Sequence, residues 1–223
     1  MMPCHSPVKH GHHITQEFLE KLSFNDDQIK ELEKVTRSQS KSNVWRDQRI
    51  GRITASRFGE VHAKVLSINK KTAKSKMVKV PSLVQSIVQP ETLSNLPLLK
   101  WGRDHERIAA ESFMEHEGRK HISPKLIACG LYIYKPQPYI GGTPENIFTC
   151  ACCEGTCIEY KCPYSIRDEL ISEAWNKTKF LQRKENVSIE LVSLCDLPVK
   201  RSDNYYSQIQ GQMAITGRKK SIL

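Results

Sequence analysis

The chain has 223 residues, 39% of them hydrophobic, with 34 Lys and Arg against 24 Asp and Glu and a formal charge of +10. A chain of this size can bury one ordinary core, so its eight cysteines are not required as a disulfide framework. No apolar run reaches the ~18 residues of a membrane-spanning helix, which excludes that class of partner.

Residues 1–13 carry His5, His10, His12 and His13 without an apolar stretch. That composition argues against a secretory signal and for an intracellular, reducing setting, the nucleus in a eukaryote, with thiols free or on metal. The four histidines are read as an unstructured tail rather than a metal site. Residues 15–42 predict two short amphipathic helices, with Phe18, Leu19 and Leu22 in the first. Ile29, Leu32 and Val35 form the second, after a cap at Asn25 or Asp26. Residues 1–43 are thus taken as an N-terminal helical extension and 44–223 as one domain. A helix is predicted over about 44–65, followed by a loop over 66–80. This region holds most of the charge: residues 45–80 carry ten Lys or Arg against two acids. Such a block points to a polyanion, with DNA or RNA the usual partner, although the five lysines from Lys70 to Lys79 also fit a solvated loop.

Leu98, Trp101, Ile108, Ala109 and Phe113 recur at helical spacing from Pro97 to about Glu117, where Gly118 is a stop. Strands are predicted at 126–134, 139–148 and 155–163. A helix follows from Ser165 toward Trp175, then a strand at 188–194 and a last helix over 203–217, closed by Gly217. This order predicts an α/β fold, an α+β sandwich with a mixed sheet flanked by helices.

Alternation in the third strand puts Glu159 and Lys161 on one face, about 7 Å apart. The pair reads either as an ordinary surface ion pair or as a metal ligand beside a lysine that orients water. Glu145, in the preceding strand, favours the second reading, because a hairpin would set it beside Glu159. Two apposed carboxylates repel unless a divalent cation lies between them, and oxygen donors of this kind suit Mg²⁺ or Mn²⁺. On the long helix Glu106 lies at the edge of the apolar stripe and is either a third ligand or an exposed charge. Cys150, Cys152, Cys153 and Cys157 form a cysteine-rich turn between the second and third strands, with structural Zn²⁺ as an alternative to free thiols.

The ordered segments WRDQRIGRITAS, WGRDHE, GGTPEN, IEYKCP and YYSQIQGQM resemble the YqaJ-type viral recombinase domain, the lambda-exonuclease branch of the PD-(D/E)XK nucleases, over roughly residues 44–217. The resemblance implies a restriction-endonuclease-like mixed central sheet and Mg²⁺-dependent 5′–3′ hydrolysis of linear, double-stranded DNA ends in recombination, by a homo-trimer. It assigns Glu106, Glu145, Glu159 and Lys161 to catalysis, the three glutamates and the Tyr160 backbone carbonyl to metal, and Arg49, Ser56, Thr143, Tyr205 and Gln208 to DNA and its 5′-phosphate. Thr143-Pro144-Glu145-Asn146 stands where the family reads S-P-D-G, and the sequence ends at Leu223, where the family continues into a strand. A catalytically inactive DNA-binding or scaffold domain is therefore the second reading.

Overall fold

The computed structural model describes residues 16–69, 81–89, 96–170, 177–181 and 199–223. Residues 16–22 are helical. Helix α1 (Asp26–Val35) starts at Asn25, whose side chain accepts from the Gln28 N–H while the Gln28 side chain accepts from the Asn25 N–H, a reciprocal cap. The predicted single helix over 44–65 is instead four elements. Helix α2 (Asn43–Asp47) ends in a turn at Gly51, whose φ of +75° is cheap for glycine, and strand β1 (Ile53–Thr54) follows. A 3₁₀ turn (Ala55–Arg57) then leads into α3 (Phe58–Asn69), which occupies the first part of the predicted 66–80 loop. Helix α4 (Pro81–Val88) precedes the long α5 (Pro97–His116), which matches its predicted span and begins with proline, where a missing N–H costs nothing.

Two predicted strands each divide between two sheets. The first gives β2 (Lys125–Ala128) and β3 (Tyr132–Ile133), and the second gives β4 (Ile140–Gly142) and β5 (Asn146–Thr149). Both breaks have a local cause. Between β2 and β3 the Gly130 N–H donates to Glu33 Oε1 (2.9 Å) and the Leu131 N–H to Thr36 Oγ1 (2.8 Å), so these donors serve the end of α1 rather than a ladder. Between β4 and β5, Pro144 has no N–H to offer. Strand β6 (Thr156–Ile158) is shorter than predicted. Helix α6 (Asn204–Thr216) begins at Asp203, which caps the Tyr205 N–H, and ends at Gly217 in the left-handed conformation, as predicted. Strand β7 (Ser221–Ile222) pairs parallel with β6 at Cys157 and Ile158. Strand β7 thus covers one edge of β6.

One sheet runs β1-β4-β3 and the other β2-β5-β6-β7, each mixing parallel and antiparallel pairs, with helices against them. The core lies in two patches. Leu32 of α1 packs with Leu131 and Ile133 against Phe24, Ile29 and Trp45, while Cys129, Ile147 and Cys157 pack with Tyr132 and Met213. Arg52 is 1% exposed and donates to the carbonyls of Gln48, Leu22 and Pro138, tying residues 16–22 to the β3–β4 turn. Helices α3 and α6 meet closely at Gly211, where a Cβ would lie 2.5 Å from the Phe58 ring.

The predicted helix from Ser165 is a single 3₁₀ turn (Tyr164–Ile166) as far as the described residues show. Its remainder toward Trp175, the strand predicted at 188–194, the lysines from Lys70 to Lys79 and the four tail histidines lie outside the described residues. Among the described residues no helix is long and apolar enough to cross a membrane.

Candidate functional site

Strands β5 and β6 form an antiparallel hairpin, and its open end sets two glutamates side by side. Glu145 enters β5 and donates its N–H to the Ile158 carbonyl (3.1 Å), while Glu159 leaves β6 and donates its own to the Ile222 carbonyl of β7 (3.0 Å). Helix α5 brings Glu106 to the same place. All three line one cavity of about 230 Å³, together with Arg49, Ser56 and Thr143 on its other wall.

Glu159 is 3% exposed, and its charge is supported by three side-chain donors. Lys161 Nζ (2.6 Å) and Gln208 Nε2 (2.6 Å) share Oε1, and Gln212 Nε2 (2.7 Å) takes Oε2. A carboxylate offers about four lone pairs, so Oε2 keeps one for a further partner. Glu145 and Glu106 lack a comparable set of donors among the described residues. Burial first, then the Glu159 and Glu106 carboxylates, push Glu145 up to about 8, against a Gln39 hydrogen bond acting the other way. Glu106 is raised by burial and by Glu159. The three carboxylates thus repel one another within a cavity whose lining also contains Arg49 and Arg103.

Lys161 is held by more than its ion pair: its ammonium lies 4.4 Å from the centre of the Tyr205 ring and 3.4 Å from Gln208 Oε1. Tyr205 therefore reaches the carboxylates through Lys161 rather than by lining their cavity. Tyr160 points its phenol away, donating to Asn146 Oδ1 (3.1 Å).

On the opposite wall Arg49 stacks its guanidinium 3.9 Å over the Trp45 ring, and burial with the neighbouring Arg57 pushes it down to about 10. Among the described residues it has no carboxylate partner, so it is a desolvated cation facing a cavity. The Thr143 hydroxyl accepts from Trp45 Nε1 (3.1 Å), and Ser56 and Thr54 hydroxyls lie 3.1 Å apart.

Several lining residues carry no role in the sequence reading. Gln39 donates to the carbonyls of Cys129 (3.1 Å) and Pro144 (3.2 Å) from a left-handed backbone, φ +47°. It comes from the segment read as an extension without site chemistry, and nothing in its local pattern marks it. Trp45 and Arg103 also belong to the site. Gln212 lies one helical turn beyond Gln208 and two beyond Tyr205 on the last helix. Buried at 1% exposure, it joins Glu159 to the Thr143 carbonyl. The four cysteines do not stay together: Cys157 is buried inside β6 beside Cys129 and Ile147, with its thiol 3.3 Å from Thr216 Oγ1, because it points to the core side of a strand. Cys150, Cys152 and Cys153 remain in the turn.

The model of the YqaJ-like viral recombinase domain matches residues 44–219, which includes every lining residue of the cavity except Gln39 and Ser40. The chain belongs to the YqaJ-like viral recombinase family. It is also similar to the crystal structure of an alkaline exonuclease (LHK-Exo) from Laribacter hongkongensis, at 18% identity and a TM-score of 0.44, covering 79% of this chain and 70% of that one. A second structure, LHK-Exo in complex with dAMP, is similar at 20% identity and a TM-score of 0.46 over the same shares. No curated protein matches the sequence. For this YqaJ-like domain the family supports a nuclease.

Proposed function

We propose that this YqaJ-like domain is a metal-dependent 5′–3′ exodeoxyribonuclease acting on linear double-stranded DNA ends in recombination. The observation that carries the reading is the convergence of Glu106, Glu145 and Glu159 on one cavity that also contains the buried Arg49, which has no carboxylate partner among the described residues. The donor set fits a hard divalent cation: three carboxylates, two of them pushed upward by burial and mutual repulsion, and one Glu159 lone pair left open. Glu106, Glu145, Glu159 and the Tyr160 carbonyl would hold Mg²⁺ or Mn²⁺. When bound, such an ion supplies a water of lowered pKa and compensates the charge that develops on the phosphate.

The chain's own residues account for the rest. Lys161, fixed between Glu159, Gln208 and Tyr205, is placed to orient the attacking water by donating its remaining N–H to the water oxygen, while the water's proton passes to solvent. Arg49 presents a planar fork to a terminal phosphate, and the Trp45 stack holds that fork in place. Ser56 and Thr143 add hydroxyls to the same wall. Anchoring the end in this way sets one phosphodiester at a time against the carboxylates, which is the geometry of stepwise removal of nucleotides. A ring-shaped homo-trimer is part of the same proposal.

The test is degradation of a 5′-phosphorylated linear duplex with Mg²⁺. Activity is expected from the natural chain and at least ~100-fold less from Glu159→Ala and Lys161→Ala; equal inertness of all three removes the reading.

DNA-end binding without hydrolysis is a second reading, favoured by one observation. Glu159 is already engaged by three side-chain donors, and its neighbour Glu145 is one methylene longer than the family's aspartate. A misplacement near 1 Å can cost ~100-fold in rate. Glu145→Asp separates the two: a natural chain that binds ends without cutting, and gains cleavage with this change, is the binding form.

A further inference from the structure

At the other end of the β5–β6 hairpin from the carboxylates, three thiols and one imidazole meet. Cys150, Cys152 and Cys153 come from the hairpin turn, and His121 from the turn after α5. His121 Nδ1 lies 3.4 Å from Cys150 Sγ, 3.4 Å from Cys152 Sγ and 3.5 Å from Cys153 Sγ. Cys152 Sγ is 3.5 Å from Cys150 Sγ and 3.9 Å from Cys153 Sγ, and all four ligand atoms fall within 4.8 Å of one another. The sulfurs are too far apart for disulfides, which need about 2.05 Å. Burial does not force them together either, because Cys152 and Cys153 are exposed. Thiols are also weak hydrogen-bonding groups, so the cluster gains little from its own contacts.

The distances are those of a coordination tetrahedron. With Zn–S near 2.3 Å and Zn–N near 2.0–2.1 Å, tetrahedral geometry sets S···S at about 3.8 Å and N···S at about 3.5 Å. Five of the six edges lie within about 0.3 Å of those values, and the sixth, Cys150 Sγ to Cys153 Sγ, is within 4.8 Å. We propose that His121 Nδ1 and the thiolates of Cys150, Cys152 and Cys153 bind one structural Zn²⁺.

Its surroundings support the ligands. The Ile122 N–H points at Cys152 Sγ (3.5 Å), and the Ala151 N–H donates to the Ile122 carbonyl (2.8 Å), so the two turns are already joined by backbone. The His121 ring meets the edge of Phe148 at 5.0 Å, and Phe148 meets Phe113 of α5 at 5.3 Å, which fixes the imidazole plane. Soft sulfur donors choose zinc over the hard cations that suit the carboxylate cavity, so the two sites do not compete for one metal. Four protein ligands leave no open position, which makes the site structural rather than catalytic. Three thiol protons pass to solvent as the metal binds. The ion would clamp the end of α5, which carries Glu106, to the hairpin that carries Glu145 and Glu159.

The full chain, purified without chelator, is expected to contain about one zinc per molecule by elemental analysis. Replacing the metal with Co²⁺ is expected to give the thiolate-to-metal charge-transfer absorption and strong visible bands of a tetrahedral sulfur-rich site. Cys153→Ser and His121→Ala should lower zinc content at least tenfold. His121→Cys should retain the metal with stronger charge transfer, and Cys157→Ala should leave both readouts unchanged. His121→Cys and the cobalt spectrum of the natural chain keep the test decisive if a serine variant does not fold. A natural chain that is folded and metal-free, a cobalt spectrum without sulfur ligation, an iron–sulfur chromophore, or zinc retained in Cys153→Ser through the tail histidines would each overturn the proposal.

Discussion

At the scale of single residues, the two strand glutamates differ because of their donors rather than their depth alone. Glu159 accepts from Lys161, Gln208 and Gln212 within a nearly closed environment. Glu145 sits in the same field without them and is pushed from the ordinary 4.5 to about 8. A carboxyl that holds its proton more tightly when folded contributes stability at low pH, and that contribution is lost as pH rises through the window from about 4.5 to about 8. Glu106 shifts in the same direction and adds the same sign. In a chelator-containing buffer, Tm should therefore fall between about pH 5.5 and pH 8, and Glu145→Gln should flatten that slope. Added Mg²⁺ should raise Tm more at the upper end of the range, where the acids are charged. An unaltered slope in Glu145→Gln would show that the dependence lies elsewhere. Gln212 gives a second residue-scale expectation. Gln212→Leu removes the donor to Glu159 Oε2 and to the Thr143 carbonyl, leaving both buried acceptors short, and should cost about 1–3 kcal/mol in urea unfolding. A loss below about 0.5 kcal/mol would mean that water replaces the amide.

At the scale of elements, the departures from the predicted strands come from what lies opposite them. The apolar run 126–134 reads as one strand because its composition is continuous. Its centre, Cys129-Gly130-Leu131, is nevertheless committed to Glu33 and Thr36 of α1, which are more than ninety positions away in sequence. No local periodicity carries that information. The same holds for 44–65, where helical spacing of apolar residues hides a glycine turn and a two-residue strand whose partner is Ile140 and Gly141. The helices α1, α5 and α6 were legible because cap, proline and glycine signals are local. Gly130 is the sharpest test of this packing. A Cβ there would lie 1.8 Å from the Glu33 carbonyl oxygen, backbone that cannot step aside cheaply. Gly130→Ala should lower stability by at least ~2 kcal/mol in chemical denaturation, and a neutral result would show that α1 can move off the sheet.

For the whole molecule, the excess positive charge has a definite address. Part of it, Arg46, Arg49, Arg52 and Arg57, is within the described residues, and these arginines have unlike duties. Arg52 is a buried tie between carbonyls, whereas Arg49 faces the cavity with no acid beside it. Under the proposed function, binding to linear duplex should weaken steeply with salt, as phosphate contacts release counterions. Arg49→Ala should reduce the preference for 5′-phosphorylated over 5′-hydroxyl ends by roughly tenfold or more, while leaving the salt dependence largely intact. End preference measured on the two substrates checks this, and an unchanged ratio would move the phosphate contact away from Arg49.

The sequence by itself determined the family, the helices α1, α5 and α6, and the placing of Glu145 and Glu159 on neighbouring strands, because ordered motifs, caps and strand alternation are written in neighbouring residues. It could not determine where strands change sheets, that Gln39, Trp45 and Gln212 complete the cavity, or that His121 rather than Cys157 joins the three turn cysteines. Those were decided by tertiary structure, since each depends on contacts between segments far apart in the chain, where burial and the need to satisfy every buried polar group outweigh local preference.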